Sequence, residues 1–165
     1  MVSSVSSKQL WSVLSEIPDP EIPVVNVVEM GIVRDVQVSG GKATITMTPT
    51  FSGCPALAAI RESLEAAARQ QGFAEVEVRT VLSPPWSTDW ITPEARVKLE
   101  RYGIAPPKPR RDGDLFLIQI EHSPTRCPKC GSLNTSVKNT FGPTLCKSIH
   151  VCNACLEPFE SFKAV

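Results

Sequence analysis

Six cysteines carry most of the chemistry available to this chain of 165 residues, and five of them fall between positions 127 and 155. Cys127-Pro128-Lys129-Cys130 and Cys152-Asn153-Ala154-Cys155 form two C-x-x-C pairs with 21 residues between the inner cysteines. Each pair can grip a metal ion through a tight knuckle, and two knuckles complete a tetrahedral four-thiolate site. The separation is slightly longer than the usual finger window, but it suits a ribbon of two hairpins that each present a knuckle. Zinc is the expected ion, since a closed four-thiolate site suits it; an iron–sulfur cluster uses the same ligands and stays open as the alternative. A piece of roughly 40 residues has too little core to fold alone, so metal binding and folding should be coupled. Cys146 is either a buried thiol of the ribbon's second arm or a fifth thiolate for ligand exchange, its pKa lowered by Lys147. His150 is expected to be packed or solvated rather than a ligand.

The sixth cysteine lies in Thr48-Pro49-Thr50-Phe51-Ser52-Gly53-Cys54-Pro55. Before it, Lys42 to Thr48 alternates as a strand; after it, Leu57, Ile60 and Leu64 recur at helical spacing. Pro55 suits the first helical position, which places Cys54 at the N-cap beside unpaired amides. A thiol there should have a lowered pKa and be reactive; the plainer reading is a small buried hydrophobe. The histidines, His122 and His150, fall in the last third, so a hydrolytic Cys-His pair is not expected.

The elements that must position these groups follow from periodicity and turn chemistry. Ser6-Ser7-Lys8-Gln9 reads as a capping box opening a helix with Leu10, Trp11, Leu14 and Ile17 on one face. Pro18-Asp19-Pro20-Glu21-Ile22-Pro23 ends it. Ile32 to Val38 is a strand, Gly40-Gly41 a hairpin turn, Glu75 to Leu82 a third strand, and Thr92-Pro93-Glu94 to Gly103 a short helix. The economical assembly is an α+β layer: a small mixed sheet with helices on one face, plus a C-terminal zinc-ribbon-like cysteine module. The expected divisions are 1–103 for the α+β domain, 104–123 for a proline-rich basic linker with a strand over Asp114–Glu121, and 124–165 for the metal ribbon.

Asp19 and Glu21 stand two apart in the proline turn and could ligate iron or exchange protons, although an Asp-Pro-Glu turn more often caps the next element. Trp86 and Trp90, in a proline loop, are core anchors or partner-binding candidates, and burial decides.

Charge excludes little by itself. The chain carries 17 basic and 17 acidic residues, with an acidic excess in 1–103 and a basic excess after it. Residues 126–165 hold only five Lys and Arg and no basic stripe, which argues against a nucleic-acid-binding ribbon. Neither C-x-x-C pair follows a strand and opens a helix, which argues against a thioredoxin-like redox protein. No signal sequence or membrane span is apparent, so the cytoplasm is the expected address and metal ligation the expected fate of the cysteines.

Taken together, Asp19-Pro20-Glu21-Ile22-Pro23, Met30-Gly31-Ile32-Val33, Thr48-Pro49-Thr50 and Ser52-Gly53-Cys54-Pro55 resemble the iron–sulfur assembly family of the DUF59 (MIP18-like) type. With Trp86-Ser87-Thr88-Asp89-Trp90-Ile91-Thr92-Pro93, Arg101-Tyr102-Gly103-Ile104 and the cysteine module, the chain looks like the branch found as accessory subunits of bacterial phenylacetyl-CoA ring-epoxidase systems in phenylacetate catabolism. That resemblance implies a non-catalytic role in maturing an iron–sulfur or di-iron centre. The implied partners are the other epoxidase subunits, with the iron–sulfur/flavin reductase first among them. Cys54, Asp19 and Glu21 match the family's motif positions. A cluster carrier or electron-transfer component is the alternative, and association of two copies is left open.

Overall fold

The structure is a computed structural model that describes residues 5–107 and 124–163. The expected strand over 114–121, much of the proline-rich linker and His122 lie outside the described residues. Among the described residues the chain forms two compact units, one of 5–86 with 90–92, the other of 87–89 with 93–107 and 124–163.

The first unit begins with helix α1 (Ser7–Leu14). Its capping box forms as the sequence predicts: Gln9 N donates to Ser6 Oγ at 3.3 Å, and Ser6 N donates to Gln9 Oε1 at 2.8 Å. Two orphan amides are thereby satisfied, and Leu10 and Leu14 are buried. The helix stops at Leu14, four residues short of Pro18, so Ile17 lies in the following turn.

Strands β1 (Val33–Ser39) and β2 (Lys42–Met47) form an antiparallel hairpin around Gly40-Gly41, with Ser39 opposite Lys42. Helix α2 (Leu57–Gln70) then carries the chain over to β3 (Glu75–Thr80), which pairs parallel to β2. The three-stranded sheet, ordered β1-β2-β3, is therefore mixed. Period-two alternation places Val36, Ala43, Ile45, Met47 and Val78 on the buried face, with Ile60, Leu64 and Ala68 of α2 among the same buried set. α1 packs on β1 and α2, and α2 on β3. The opposite face is polar, with Lys42 reaching Glu75 at 2.7 Å and Glu77 at 2.9 Å. Apolar residues on one face and paired charges on the other explain why helices cover a single side.

The second unit contains α3 (Pro93–Tyr102) and a four-stranded sheet ordered β4-β7-β6-β5. Its strands are β4 (Ile104–Ala105), β5 (Thr135–Asn139), β6 (Lys147–Cys152) and β7 (Pro158–Phe162). Ile104 and Ala105 fall in the stretch read as linker, yet both are buried and pair parallel with β7. Arg96 of α3 straps this region together by donating to the carbonyls of Thr88 and Pro107.

Candidate functional site

Both C-x-x-C pairs sit on knuckles with the same backbone wiring. In the first, Cys127 N donates to Ser132 O and Gly131 N to Cys127 O, each at 2.9 Å. In the second, Cys152 N donates to Glu157 O at 3.0 Å and Leu156 N to Cys152 O at 2.9 Å. The residue after each second cysteine has a left-handed backbone, φ +76° at Gly131 and +65° at Leu156. Glycine takes that conformation freely; leucine does not, and it sits here with its side chain exposed. Lys129 of one knuckle pairs with Glu157 beyond the other at 2.7 Å.

The four Sγ atoms of Cys127, Cys130, Cys152 and Cys155 all lie within 4.8 Å of one another. Cys130 and Cys152 are 3.5 Å apart, Cys127 and Cys155 3.8 Å. Sulfurs bound at ~2.3 Å to one tetrahedral ion are spaced by ~3.8 Å, whereas a disulfide needs ~2.05 Å. The residues fit a metal ion, and among the described residues this is the one group of three or more metal-ligating side chains so arranged.

Electrostatics set the four thiols apart. N–H groups of Cys155 and then Ala154 hold the Cys152 thiol down to about 6, against burial. Cys155 receives the Glu157 N–H, which lowers it, but burial and the three neighbouring thiols prevail and push it up to about 12. At Cys130 the Ser132 N–H lowers the pKa, yet the neighbouring Cys152 thiol, with some loss of solvation among the clustered sulfurs, leaves it raised overall. The Cys152 thiolate forms readily; those of Cys130 and Cys155 need the ion's charge.

Cys146 is not part of this group. Its Sγ lies 3.2 Å from Thr144 Oγ1, and the Lys147 ammonium expected to activate it is instead buried against Glu160 at 2.6 Å. His150 is packed as expected: its ring stacks on Phe159 at 5.4 Å, its Nε2 meets Ser148 Oγ at 3.0 Å, and burial lowers its pKa.

Cys54 departs from the sequence expectation. Helix α2 starts at Leu57 with Ala56 as its N-cap, so Cys54 lies three residues upstream of the helix. The reason is local. Leu57 N bonds Cys54 O at 3.2 Å, closing a four-residue turn with Pro55 at its second position, and the helical ladder begins only with Ile60 N to Ala56 O at 2.9 Å. Pro55 thus serves a turn, where its fixed φ is equally at home. Cys54 is half-buried, flanked by exposed Phe51, Ser52, Gly53 and Pro55.

Asp19 is buried, and its Oδ1 accepts Glu21 N at 2.8 Å and Ile22 N at 2.9 Å. That is the turn-capping geometry of an Asp-Pro-Glu segment. Asn26 and Glu29 cap the next turn reciprocally: Asn26 Oδ1 accepts Val28 N and Glu29 N, and Glu29 Oε2 accepts Asn26 N. The structure does not bring Cys54, Asp19 and Glu21 together as a metal-ligating group.

Burial settles Trp86 as a core anchor rather than a partner-binding side chain. It is 3% exposed, and its Nε1 donates to Met30 O at 2.9 Å. Trp90 is half-buried, with the Arg34 guanidinium 3.5 Å from its ring centroid. It explains the Met30-Gly31 motif: a Cβ on Gly31 would lie 2.5 Å from Trp90 Cβ. Sequence reasoning missed this latch, because the partners lie about sixty positions apart in the chain.

The geometry thus defines an α+β domain with a cysteine-bearing turn and a separate metal-binding β-ribbon. Residues 7–81 match the family described as Iron-sulfur cluster assembly protein, and residues 117–163 match the PaaD zinc beta ribbon domain. An Escherichia coli (strain K12) protein, named provisionally as the D-type subunit of a 1,2-phenylacetyl-CoA epoxidase, is 42% identical over 157 residues, covering 95% of this chain and 92% of the relative. The Fe-S protein maturation auxiliary factor of Porphyromonas gingivalis (strain ATCC BAA-308 / W83) is 35% identical over 96 residues, 57% of this chain and 90% of that one. A crystal structure of a DUF59 domain from Bacillus anthracis superposes with a TM-score of 0.53 at 32% identity, covering 56% of this chain and 90% of its own. The chain belongs to the iron–sulfur cluster assembly protein family, among members that also carry the zinc β-ribbon. No helix among the described residues is long and apolar enough to cross a membrane.

Proposed function

We propose that this protein is a non-catalytic accessory subunit of a phenylacetyl-CoA ring-epoxidase system, acting in the cytoplasm to mature an iron–sulfur or di-iron centre of its partners. The single observation that carries the reading is the likeness to the E. coli epoxidase relative along 95% of this chain, both modules included. The maturation-factor relatives match little more than half of this chain, and residues 7–81 of the α+β part match the iron–sulfur cluster assembly family, which supports assigning the assembly role to that part.

In this reading Cys127, Cys130, Cys152 and Cys155 hold one zinc ion, which supplies the cross-link that the small core of the second unit lacks. Spacing supports a single ion: the Cys130–Cys152 and Cys127–Cys155 sulfurs, 3.5 and 3.8 Å apart, match the ~3.8 Å between donors at ~2.3 Å on one tetrahedral centre. The ribbon docks the client, foremost the iron–sulfur/flavin reductase. Cys54, in its surface turn, takes iron or cluster transiently, while Asp19 fixes its own proline turn through two backbone amides.

The test is the client's metal. In cells making the epoxidase system, replacement of this protein by Cys54→Ser should lower iron and acid-labile sulfide per reductase and lower epoxidase activity. Unchanged client iron, sulfide and activity would overturn the proposal.

A further inference from the structure

The four metal-site thiols are not equivalent. Cys127 and Cys152 are 1% and 0% exposed and pack with Ala105 and Phe159 in the core of the second unit. Cys155 is half-buried, and Cys130 alone of the four is exposed. Coordination keeps a thiol deprotonated, so a loaded site offers one thiolate, Cys130, to solvent. Oxidation follows thiolate character and exposure. Cys152 of the facing knuckle lies 3.5 Å from that sulfur, and the Lys129–Glu157 ion pair at 2.7 Å spans the same two knuckles.

We infer that the four-cysteine site is a peroxide-opened switch, in which Cys130 is oxidised first, Cys152 closes a disulfide onto it, and the ion is released. The inference rests on the reading that these residues hold a metal ion. The Cys130 thiolate attacks hydrogen peroxide; an S–O bond forms, the O–O bond breaks, and the departing hydroxide takes a proton to become water. The Cys152 thiolate then attacks the sulfenic sulfur; an S–S bond forms, the S–O bond breaks, and the second hydroxide leaves as water. Two thiolates have lost two electrons to one peroxide, two protons are consumed, and one divalent ion is set free. The sulfurs need to approach from 3.5 Å to ~2.05 Å, a small displacement beside the reach of a Cβ–Sγ rotation. Cys127 and Cys155 remain as two sulfur ligands, too few for a closed tetrahedral site. Because Cys152 is both resolving thiol and core residue, the chemistry is coupled to the packing of Ala105 and Phe159. Thiol reductant and fresh metal should reverse it.

The experiment uses full-length, zinc-loaded wild-type protein titrated with hydrogen peroxide. Zinc release is read with a chromogenic chelator, and thiols are mapped by mass spectrometry after acid quench and alkylation. The expected result is one Cys130–Cys152 disulfide per zinc released, with both thiols lost at least tenfold faster than Cys127 and Cys155. Dithiothreitol with zinc should restore the loaded state. Oxidation confined to Cys54 or Cys146 with zinc retained, or a disulfide elsewhere in the cluster, overturns the switch while leaving the metal site standing. A protein that takes up no zinc overturns both.

Discussion

Gly31→Ala isolates what the Met30-Gly31 turn does. At φ +67° an alanine enters the left-handed region, costing ~1–2 kcal/mol. Its Cβ would also lie 2.5 Å from Trp90 Cβ and 2.9 Å from Trp90 O, distances real Cβ atoms do not adopt. The obstructing atoms are backbone and Cβ, so no distal rotamer can yield. The segment is held nearby by Thr92 N donating to Glu29 O at 2.9 Å. Overpacking of this kind costs ~1–3 kcal/mol, giving about 2–5 kcal/mol together, a large share of the ~5–15 kcal/mol that stabilises a typical domain. Gly72→Ala supplies the reference, since φ there is +91° but nothing lies within 4 Å of an added Cβ; it should cost only the ~1–2 kcal/mol of strain. Urea unfolding of both variants, followed by tryptophan fluorescence and circular dichroism, reads the difference. If Gly31→Ala proves no more destabilising than Gly72→Ala, the latch between Gly31 and Trp90 is not what the structure shows.

Three further outcomes follow. Trp86→Phe keeps a buried aromatic ring but removes the pyrrole ring and strips Met30 O of its donor, and should cost at least ~1–3 kcal/mol in the same unfolding assay. Cys152→Ser should abolish metal uptake and leave the second unit open to limited proteolysis, whereas Cys146→Ser should retain the wild-type metal content, both read by elemental analysis. At pH 8 the Cys130 thiol, raised above its ordinary value, and the Cys155 thiol, near 12, carry protons, while Cys152, near 6, has lost its own. Ion uptake should therefore release at least two protons per ion at pH 8, and affinity should fall as pH falls, more steeply below about 6 where Cys152 also holds its proton. Titration in weak buffer with a pH indicator measures that release; uptake without protons would contradict it.

Local chemistry was the legible part of the sequence. Ser6 and Gln9 cap each other within one turn, Gly40-Gly41 closes a hairpin, and two C-x-x-C pairs announce knuckles, all through near neighbours. The start of α2 was misplaced because proline's fixed φ serves a turn and a helical first position alike, and only the hydrogen bond from Leu57 N to Cys54 O separates them. Strand β4 escaped notice because Ile104 and Ala105 are two residues beside prolines, and their pairing partners, Glu160 and Ser161, lie far along the chain. Trp86 could not be assigned without the distant Met30 carbonyl. Leu156 gave no signal at all: its left-handed backbone is imposed by the knuckle, and only comparison with Gly131 exposes it.

Whether the four thiolates hold one ion or a cluster decides between a structural docking module and a carrier. The most direct measurement is metal and acid-labile sulfide content, with an absorption spectrum, on protein purified without oxygen. One zinc per chain, no sulfide and no visible absorption are predicted. Iron with sulfide and visible absorption would contradict that prediction and make the ribbon itself the cluster site.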